Sequence, residues 1–243
     1  MVKKPENLDN EWDEEFESLV DELMEERDHN GPTPLLSEKQ KRDMIREELK
    51  EMLKFEKEAQ AVSKAIRLIG EFGPSLLGAN RTEEIMDEIH EAGQRMIELT
   101  EAVAKSPENT PNLIGVTKET LNDILKVAYD QYEQENWENA EHIYEFTSIL
   151  TPASPEIWMC LGSALQNQGK IRQATENYVQ AAELDKVDPH YPLYIAECFL
   201  LEGDLKSSET WEENGRRRLE EGEGDTEVIE MFDAVKEAIA AAA

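Results

Sequence analysis

The chain has 243 residues, 55 of them acidic and 25 basic, for a formal net charge of −30 at pH 7. This is long enough for one or two domains with a buried core, and 33% charged with 39% hydrophobic residues suits packed helices better than disorder. Such an acidic chain lacks the cationic footprint that phosphate backbones and anionic membranes require, so no nucleic-acid partner is expected. The one basic run, Arg216-Arg217-Arg218, is followed by Glu220, Glu221 and Glu223 and reads as a solvated helix end.

The first segment, residues 1–30, is acidic, with Trp12, Phe16, Leu19, Val20, Leu23 and Met24 at helical spacing. It fits either a short amphipathic helix that docks on something or a disordered tail. Met1 to Glu26 has no apolar core of a signal peptide, and no stretch approaches the roughly 20 apolar residues that span a bilayer. Direct membrane insertion is therefore not expected. Gly31-Pro32-Thr33-Pro34 breaks the segment.

Residues 31–116 read as a helical extension and linker. Ser37 and Gln40 form a capping-box pattern, and Ile45, Leu49, Met52, Ala59, Val62, Ile66 and Ile69 follow in three- and four-residue steps. Gly70 to Gly78, with Pro74, is expected to end this helix. A second helix is expected near Asn80, capped by Asn80 with Glu83, and carries the stripe Ile85, Ile89, Ala92, Met96, Leu99, Val103. The two stripes fit equally a hairpin packed on the C-terminal half of the chain or the seam of a homodimer. Lys105 to Val116, with Pro107, Pro111 and Gly115, reads as a linker.

From Thr117 the pattern becomes periodic. Ala140, Ala174 and Ser208 are spaced 34 residues apart, and Val127-Ala128, Leu161-Gly162 and Ile195-Ala196 repeat at the same interval. Gly169 and Gly203 mark equivalent turns, where the first unit has Glu135. This step with this small/large pattern is the signature of tetratricopeptide (TPR) helix pairs. The fold class is accordingly all-α: a three-unit TPR helical solenoid over residues 117–222 (121–154, 155–188 and 189–222), preceded by the N-terminal helical extension. Residues 223–243 then form a C-terminal capping helix, with Val228, Phe232, Val235 and Ile239 on one face. Cys160 and Cys198 fall on the inner helices as core thiols, which suits a reducing cytoplasm.

Gly162 and Ala174 let the paired helices of the middle unit approach closely, with Trp158, Leu161, Leu165 and Tyr178 packed around them. Other positions of each first helix face the concave side. The candidate peptide-binding groove is lined by Leu125, Tyr129, Tyr132, Met159, Ser163, Gln166, Leu193 and Glu197. Its mixture of apolar and aromatic anchors suits an extended peptide held by a few side chains. A carboxylate clamp for an acidic C-terminus would need Lys, Asn and Arg; Leu125, Tyr129, Cys160, His190 and Tyr194 stand at those positions instead. There is no Gly-rich phosphate loop, and none of His29, His90, His142 and His190 has a second His or Cys at ligand spacing. Neither enzyme activity nor a cofactor or metal is expected, and the histidines read as surface or groove residues.

The run Ile124 to Tyr132, then Trp137-Glu-Asn-Ala140, resembles the first repeat of the class II type III secretion chaperones, the SycD/LcrH/IpgC family. Trp158-Met-Cys-Leu-Gly162 and Gln166-Asn-Gln-Gly169 continue the match. The third repeat, Pro192 to Leu205 with its Ala196-Glu197-Cys198 triplet and Gly-containing turn, is the closest. The resemblance covers about residues 117–220. It implies a bacterial cytoplasmic chaperone that binds hydrophobic translocator proteins before export, holding a Pro-x-Leu-x-x-Pro-like segment in the groove. The family's first-repeat aromatics correspond to Leu125, Tyr129, Tyr132 and Trp137, the first replaced by leucine. A TPR adaptor subunit of a secretion or other assembly, with or without a regulatory role, is the alternative.

Overall fold

Residues 20–22, 24–25, 37–221 and 226–242 are described in the computed structural model of the chain, those at 38, 49–59 and 226–227 by backbone alone. The chain divides into two compact units, Met1–Gln60 and Ala61–Ala243. Among the described residues every regular element is a helix.

Within the first unit, Val20 and Met24 are buried with Ile45 in a small apolar cluster, beside an ion pair from Arg42 to Asp21 at 2.5 Å. Trp12, Phe16, Leu19 and Leu23 lie outside the described residues. The next helix, α1 (Glu38–Leu77), begins as the sequence predicts. The Gln40 amide donates to Ser37 Oγ at 3.3 Å, and the Ser37 amide donates to Gln40 Oε1 at 2.9 Å. The reciprocal pair satisfies two amides that have no partner inside the helix.

In the second unit, the expected stop between Gly70 and Gly78 shrinks to its last residue. Helix α1 runs through Pro74 to Leu77 and breaks only at Gly78 (φ 91°), and α2 (Ala79–Glu98) starts immediately after. Pro74 stands in the final turn, and the amide it lacks leaves the carbonyl of Gly70 without its helical partner, one turn before the break. Asn80 is already inside α2, so it does not cap; Gly78 does so, without a side-chain bond. Ala65, Leu68 and Ile69 of α1 pack against Ile85, Ile89 and Ala92 of α2.

The predicted linker is folded. It contains α3 (Thr100–Lys105), a 3₁₀ turn (Pro107–Asn109) and α4 (Thr110–Ile114). Pro111 stands in the first turn of α4, where a missing amide costs nothing, and Gly115 closes its end in the left-handed region (φ 80°). Thr110, Ile114 and Val116 are buried. The residues that look like breakers in sequence are the punctuation of short helices.

Three helix pairs complete the repeat region: α5 (Lys118–Glu133) with α6 (Trp137–Leu150), α7 (Pro155–Asn167) with α8 (Ile171–Leu184), and α9 (His190–Glu202) with α10 (Leu205–Glu221). Thr117 caps α5 through the Thr120 amide at 3.2 Å. All three pairs turn in the same way. The amides of Glu135, Gly169 and Gly203 bond to carbonyls three residues back, and those of Asn136, Lys170 and Asp204 bond five back. This is the Schellman arrangement, which requires a left-handed residue at the first of these positions. Gly169 (φ 77°) and Gly203 (φ 79°) supply it, and so does Glu135 (φ 60°), which has a Cβ to accommodate there.

Within the middle pair, Gly162 sits so near Tyr178 that a Cβ would lie 2.6 Å from the ring. Ala140 and Ala174 are fully buried at the matching contacts. One apolar cluster runs from Ala65 in the hairpin through the repeats to Cys198, so hairpin and solenoid share a core. Each fully buried Leu, Ile or aromatic in it contributes about 1.5–3 kcal/mol. Polar contacts fix the same junction. Arg81 donates to Asp123 at 2.8 Å and to Thr120 at 3.1 Å, and Glu88 accepts from the Thr117 amide and from Thr120 Oγ1.

The last helix, α11 (Thr226–Ala242), lays Val228, Phe232, Val235 and Ile239 over Leu193 and Ala196 in a second buried cluster. Phe232 sits on Gly215, where a Cβ would come within 2.3 Å of its ring. Arg216 lies over the same ring, 5.7 Å from its centroid. The basic run is therefore not a solvated helix end. Arg218 is buried (8% exposed). It donates to the backbone carbonyls of Asp185 (2.8 Å), Asp188 (3.1 Å) and Ala182 (3.2 Å), closing the C-terminus of α8 and the loop after it.

Candidate peptide-binding groove

The first helices of the three pairs, α5, α7 and α9, lie side by side, and hydrogen bonds between their side chains show which positions share a surface. Asn167 at the end of α7 donates to Tyr132 Oη of α5 at 2.8 Å, and also to its own Ser163 carbonyl at 2.9 Å. From α7 toward α9 a chain of polar groups runs across. Ser163 Oγ meets Tyr178 Oη at 3.2 Å, Tyr178 Oη donates to Gln166 Oε1 at 2.8 Å, and the Gln166 amide donates to Glu197. Tyr194 stacks on Tyr178, with centroids 5.2 Å apart and planes at 28°.

Leu125, Tyr132, Met159, Ser163, Gln166 and Glu197 are all half-buried, with an open side beyond their contacts. Tyr129 is the most open, at 58% exposure, and its hydroxyl donates to Glu133 one turn on. Seven of the eight candidate residues thus lie partly open on the three first helices, and four of them, Tyr132, Ser163, Gln166 and Glu197, take part in the cross-helix polar ties.

Leu193 does not belong with them. It is fully buried, packed with Ala196 beneath Val228 and Phe232 of α11. The reason is its place in the array. In the first two units the equivalent positions, Leu125 and Met159, stay partly open, whereas the last unit has no further repeat beyond it and α11 folds over its first helix instead. The cap closes that end of the face, leaving Tyr194, Glu197 and His190 at its border.

Burial sets the electrostatics of the face. Desolvation raises Glu197 above the ordinary glutamate range, an effect the Gln166 amide partly offsets. Burial likewise raises Tyr178, Tyr194 and Tyr144, keeping these hydroxyls protonated as donors. Desolvation pushes Cys160 up, while its bond from Tyr144 works against this, and burial lifts Cys198 to about 11. Both thiols are free, and their raised values keep them protonated rather than nucleophilic. His190 bonds Asp188 Oδ1 at 2.7 Å through Nδ1. His142 departs from the surface reading: its side chain is 14% exposed and its Nδ1 is buried without a hydrogen-bond partner.

Two members of the face escape sequence reasoning. Tyr178 reads as core, and its ring is indeed 1% exposed, yet its hydroxyl is the centre of the polar chain. Tyr194 stands in the repeat column of Lys126 and Cys160, whose chemistry gives no hint of an aromatic wall.

A family model described as tetratricopeptide repeat matches residues 121–153 and 155–188. Those residues are tetratricopeptide repeats. Over 125 residues the chain is 26% identical to the low calcium response locus protein H of Yersinia pestis, covering 50% of this chain and 74% of that protein. That relative is the LcrH of the family which the repeat sequences resemble. Among solved structures, the fold is similar to a T3SS complex from Aeromonas hydrophila (TM-score 0.53, 22% identity, 59% of this chain and 93% of that one). It is also similar to the Yersinia enterocolitica type III secretion translocator chaperone SycD (TM-score 0.49, 23% identity, 54% of this chain and 96% of that one). In a TPR array the first helices line the concave side, so the tied face of α5, α7 and α9 is the inner face.

Proposed function

We propose that the chain is a type III secretion chaperone that holds hydrophobic translocator proteins in the bacterial cytoplasm through a short segment laid along the inner face of its repeats. One observation carries this reading. The inner face presents partly open apolar and aromatic side chains, Leu125, Tyr129, Tyr132 and Met159, and Tyr132 among them is tied to the next repeat by a hydrogen bond from Asn167. Such side chains bind by completing their burial against a partner. The sequence likeness to low calcium response locus protein H spans the same repeats and supports the assignment.

The chemistry suits the task. A translocator carries apolar segments that would aggregate or associate prematurely, and an acidic, highly charged holder keeps the complex dispersed. Masking of this kind needs neither a nucleotide nor a covalent step, so the protein acts as a binder rather than an enzyme. Among the described residues no helix is long and apolar enough to cross a membrane. A Pro-x-Leu-x-x-Pro-like segment is the expected ligand, with its leucine and prolines against the first two units.

The test is the double substitution Tyr129→Ala with Tyr132→Ala, measured by fluorescence anisotropy against a translocator-derived peptide. Loss of two aromatic contacts is expected to weaken binding at least tenfold, which needs only about 1.4 kcal/mol. Unchanged affinity in a variant with native circular dichroism would overturn the groove assignment.

A further inference from the structure

Along the inner face the columns of the repeat change character in one direction. The column of Tyr129 reads Tyr129, Ser163, Glu197 from the first unit to the third, and the column of Tyr132 reads Tyr132, Gln166, Leu200. The face therefore runs from aromatic, through small and polar, to an acid next to the end closed by α11. Glu197 is half-buried, and its carboxylate accepts from Gln166. No lysine or arginine among the described residues forms an ion pair with it. A carboxylate has about four acceptor sites, so one amide leaves most of them unfilled on the open side. Beside it, Tyr194 stacks on Tyr178 and offers an aromatic wall along which an aliphatic stem can lie.

Resting on the inner-face reading above, we propose that Glu197 is a specificity residue that pairs with a lysine or arginine of the bound segment and so fixes its direction. The apolar anchors of the segment occupy the first two units, and its basic residue lies at the third. A desolvated anion without a cation is costly, whereas a cation delivered by the ligand is paired in a partly dry site where screening is weak. An acidic residue at the same register meets a like charge and is rejected, which is how direction is enforced rather than merely favoured.

The test uses the full-length protein and a panel of fluorescein-labelled Pro-x-Leu-x-x-Pro peptides, extended by three residues at either end. Each non-motif position carries lysine, norleucine or glutamate in turn, and binding is read by anisotropy. The expected result is a register at which lysine binds at least fivefold more tightly than norleucine, and glutamate more weakly than both. In Glu197→Gln, which keeps an acceptor oxygen opposite the Gln166 amide but carries no charge, the lysine preference is lost and the lysine and norleucine peptides bind equally. A lysine preference that survives in Glu197→Gln, or norleucine peptides that bind with no lysine preference at any register, overturns the assignment and leaves the inner-face reading standing. Failure of every peptide in the panel to bind overturns both.

Discussion

Glu135 offers a clean test of how the repeat turn is built. It occupies the left-handed position that Gly169 and Gly203 hold in the next two units, at φ 60° against 77° and 79°. A left-handed conformation costs an L-residue about 1–2 kcal/mol, because the Cβ crowds the following carbonyl. Glycine escapes that cost but surrenders about 0.5–1 kcal/mol of extra chain entropy on folding. Glu135→Gly should therefore gain about 0.5–1 kcal/mol, or roughly 1–4 °C in Tm for a chain of this size. The Glu135 side chain is exposed, so no packing is lost. Its charge lies at a helix C-terminus, where an anion is slightly unfavourable, and Glu135→Ala isolates that contribution by removing the charge while keeping the Cβ. The alanine variant should gain no more than a few tenths of a kcal/mol. The opposite change is equally informative. A Cβ placed on Gly169 or Gly203 meets nothing within 4 Å, so Gly169→Ala and Gly203→Ala report backbone strain alone and should each lose about 0.5–1 kcal/mol. Urea denaturation followed by circular dichroism, with the slope m checked for constancy, measures all four. A destabilised Glu135→Gly, or a neutral Gly169→Ala, would refute the Schellman account of the turn.

The same geometry sets three further outcomes. Arg218→Met keeps the aliphatic bulk but strips three backbone carbonyls of their donor, and should cost at least about 2 kcal/mol in urea melts, with loss concentrated in the third repeat. Gly215→Ala forces Phe232 away, since the new Cβ would lie 2.3 Å from its ring; hydrogen exchange across 226–242 should accelerate while exchange in α5 to α7 is unchanged. Glu197 has a raised folded pKa, so its ionisation opposes folding: the native state holds the proton more tightly, and stability is lost as pH rises from the ordinary glutamate value of 4.5 through the folded value. Glu197→Gln should match the wild type in stability near pH 4 and exceed it at pH 7, as read by thermal melts; equal stability at both pH values would show the carboxylate to be well solvated.

The repeats are legible because each unit solves the same packing problem with the same residues. The step from Ala140 to Ala174 to Ser208, and the turn column of Glu135, Gly169 and Gly203, arise from helix pairs that must approach closely and reverse sharply. The Ser37–Gln40 box is legible because its partners are three residues apart. Features that depend on distant chain are not. Leu193 looks like Leu125 and Met159 from within its unit, and only α11, more than thirty residues later, turns it into core. Arg218 looks like the rest of a basic run until the carbonyls of Ala182, Asp185 and Asp188 are placed around it. Residues 105–116 read as a linker because Pro111 and Gly115 are breakers inside a helix but ordinary punctuation at its ends. The same rule spreads the end of α1 over Gly70 to Gly78, whereas the helix continues through Pro74 to Leu77 and breaks only at Gly78.

The covered ends of the array bear on how a short solenoid can bind at all. Three repeats leave two apolar ends, and an end that frays would let the inner face change shape. Here the hairpin of α1 and α2 is joined to α5 by Arg81, Glu88 and a shared core, and α11 seals α9 and α10 through Phe232. Between these ends, the ties from Tyr132 to Asn167 and from Ser163 through Tyr178 and Gln166 to Glu197 fix neighbouring first helices at the groove surface itself. A preorganised face loses little conformational freedom when a ligand arrives, so the ordering cost falls almost wholly on the incoming segment. For the proposed function, that division is what lets a few apolar anchors suffice. It also makes the polar chain separable from the anchors: Gln166→Leu should weaken binding by loosening the face even though Leu125, Tyr129, Tyr132 and Met159 remain.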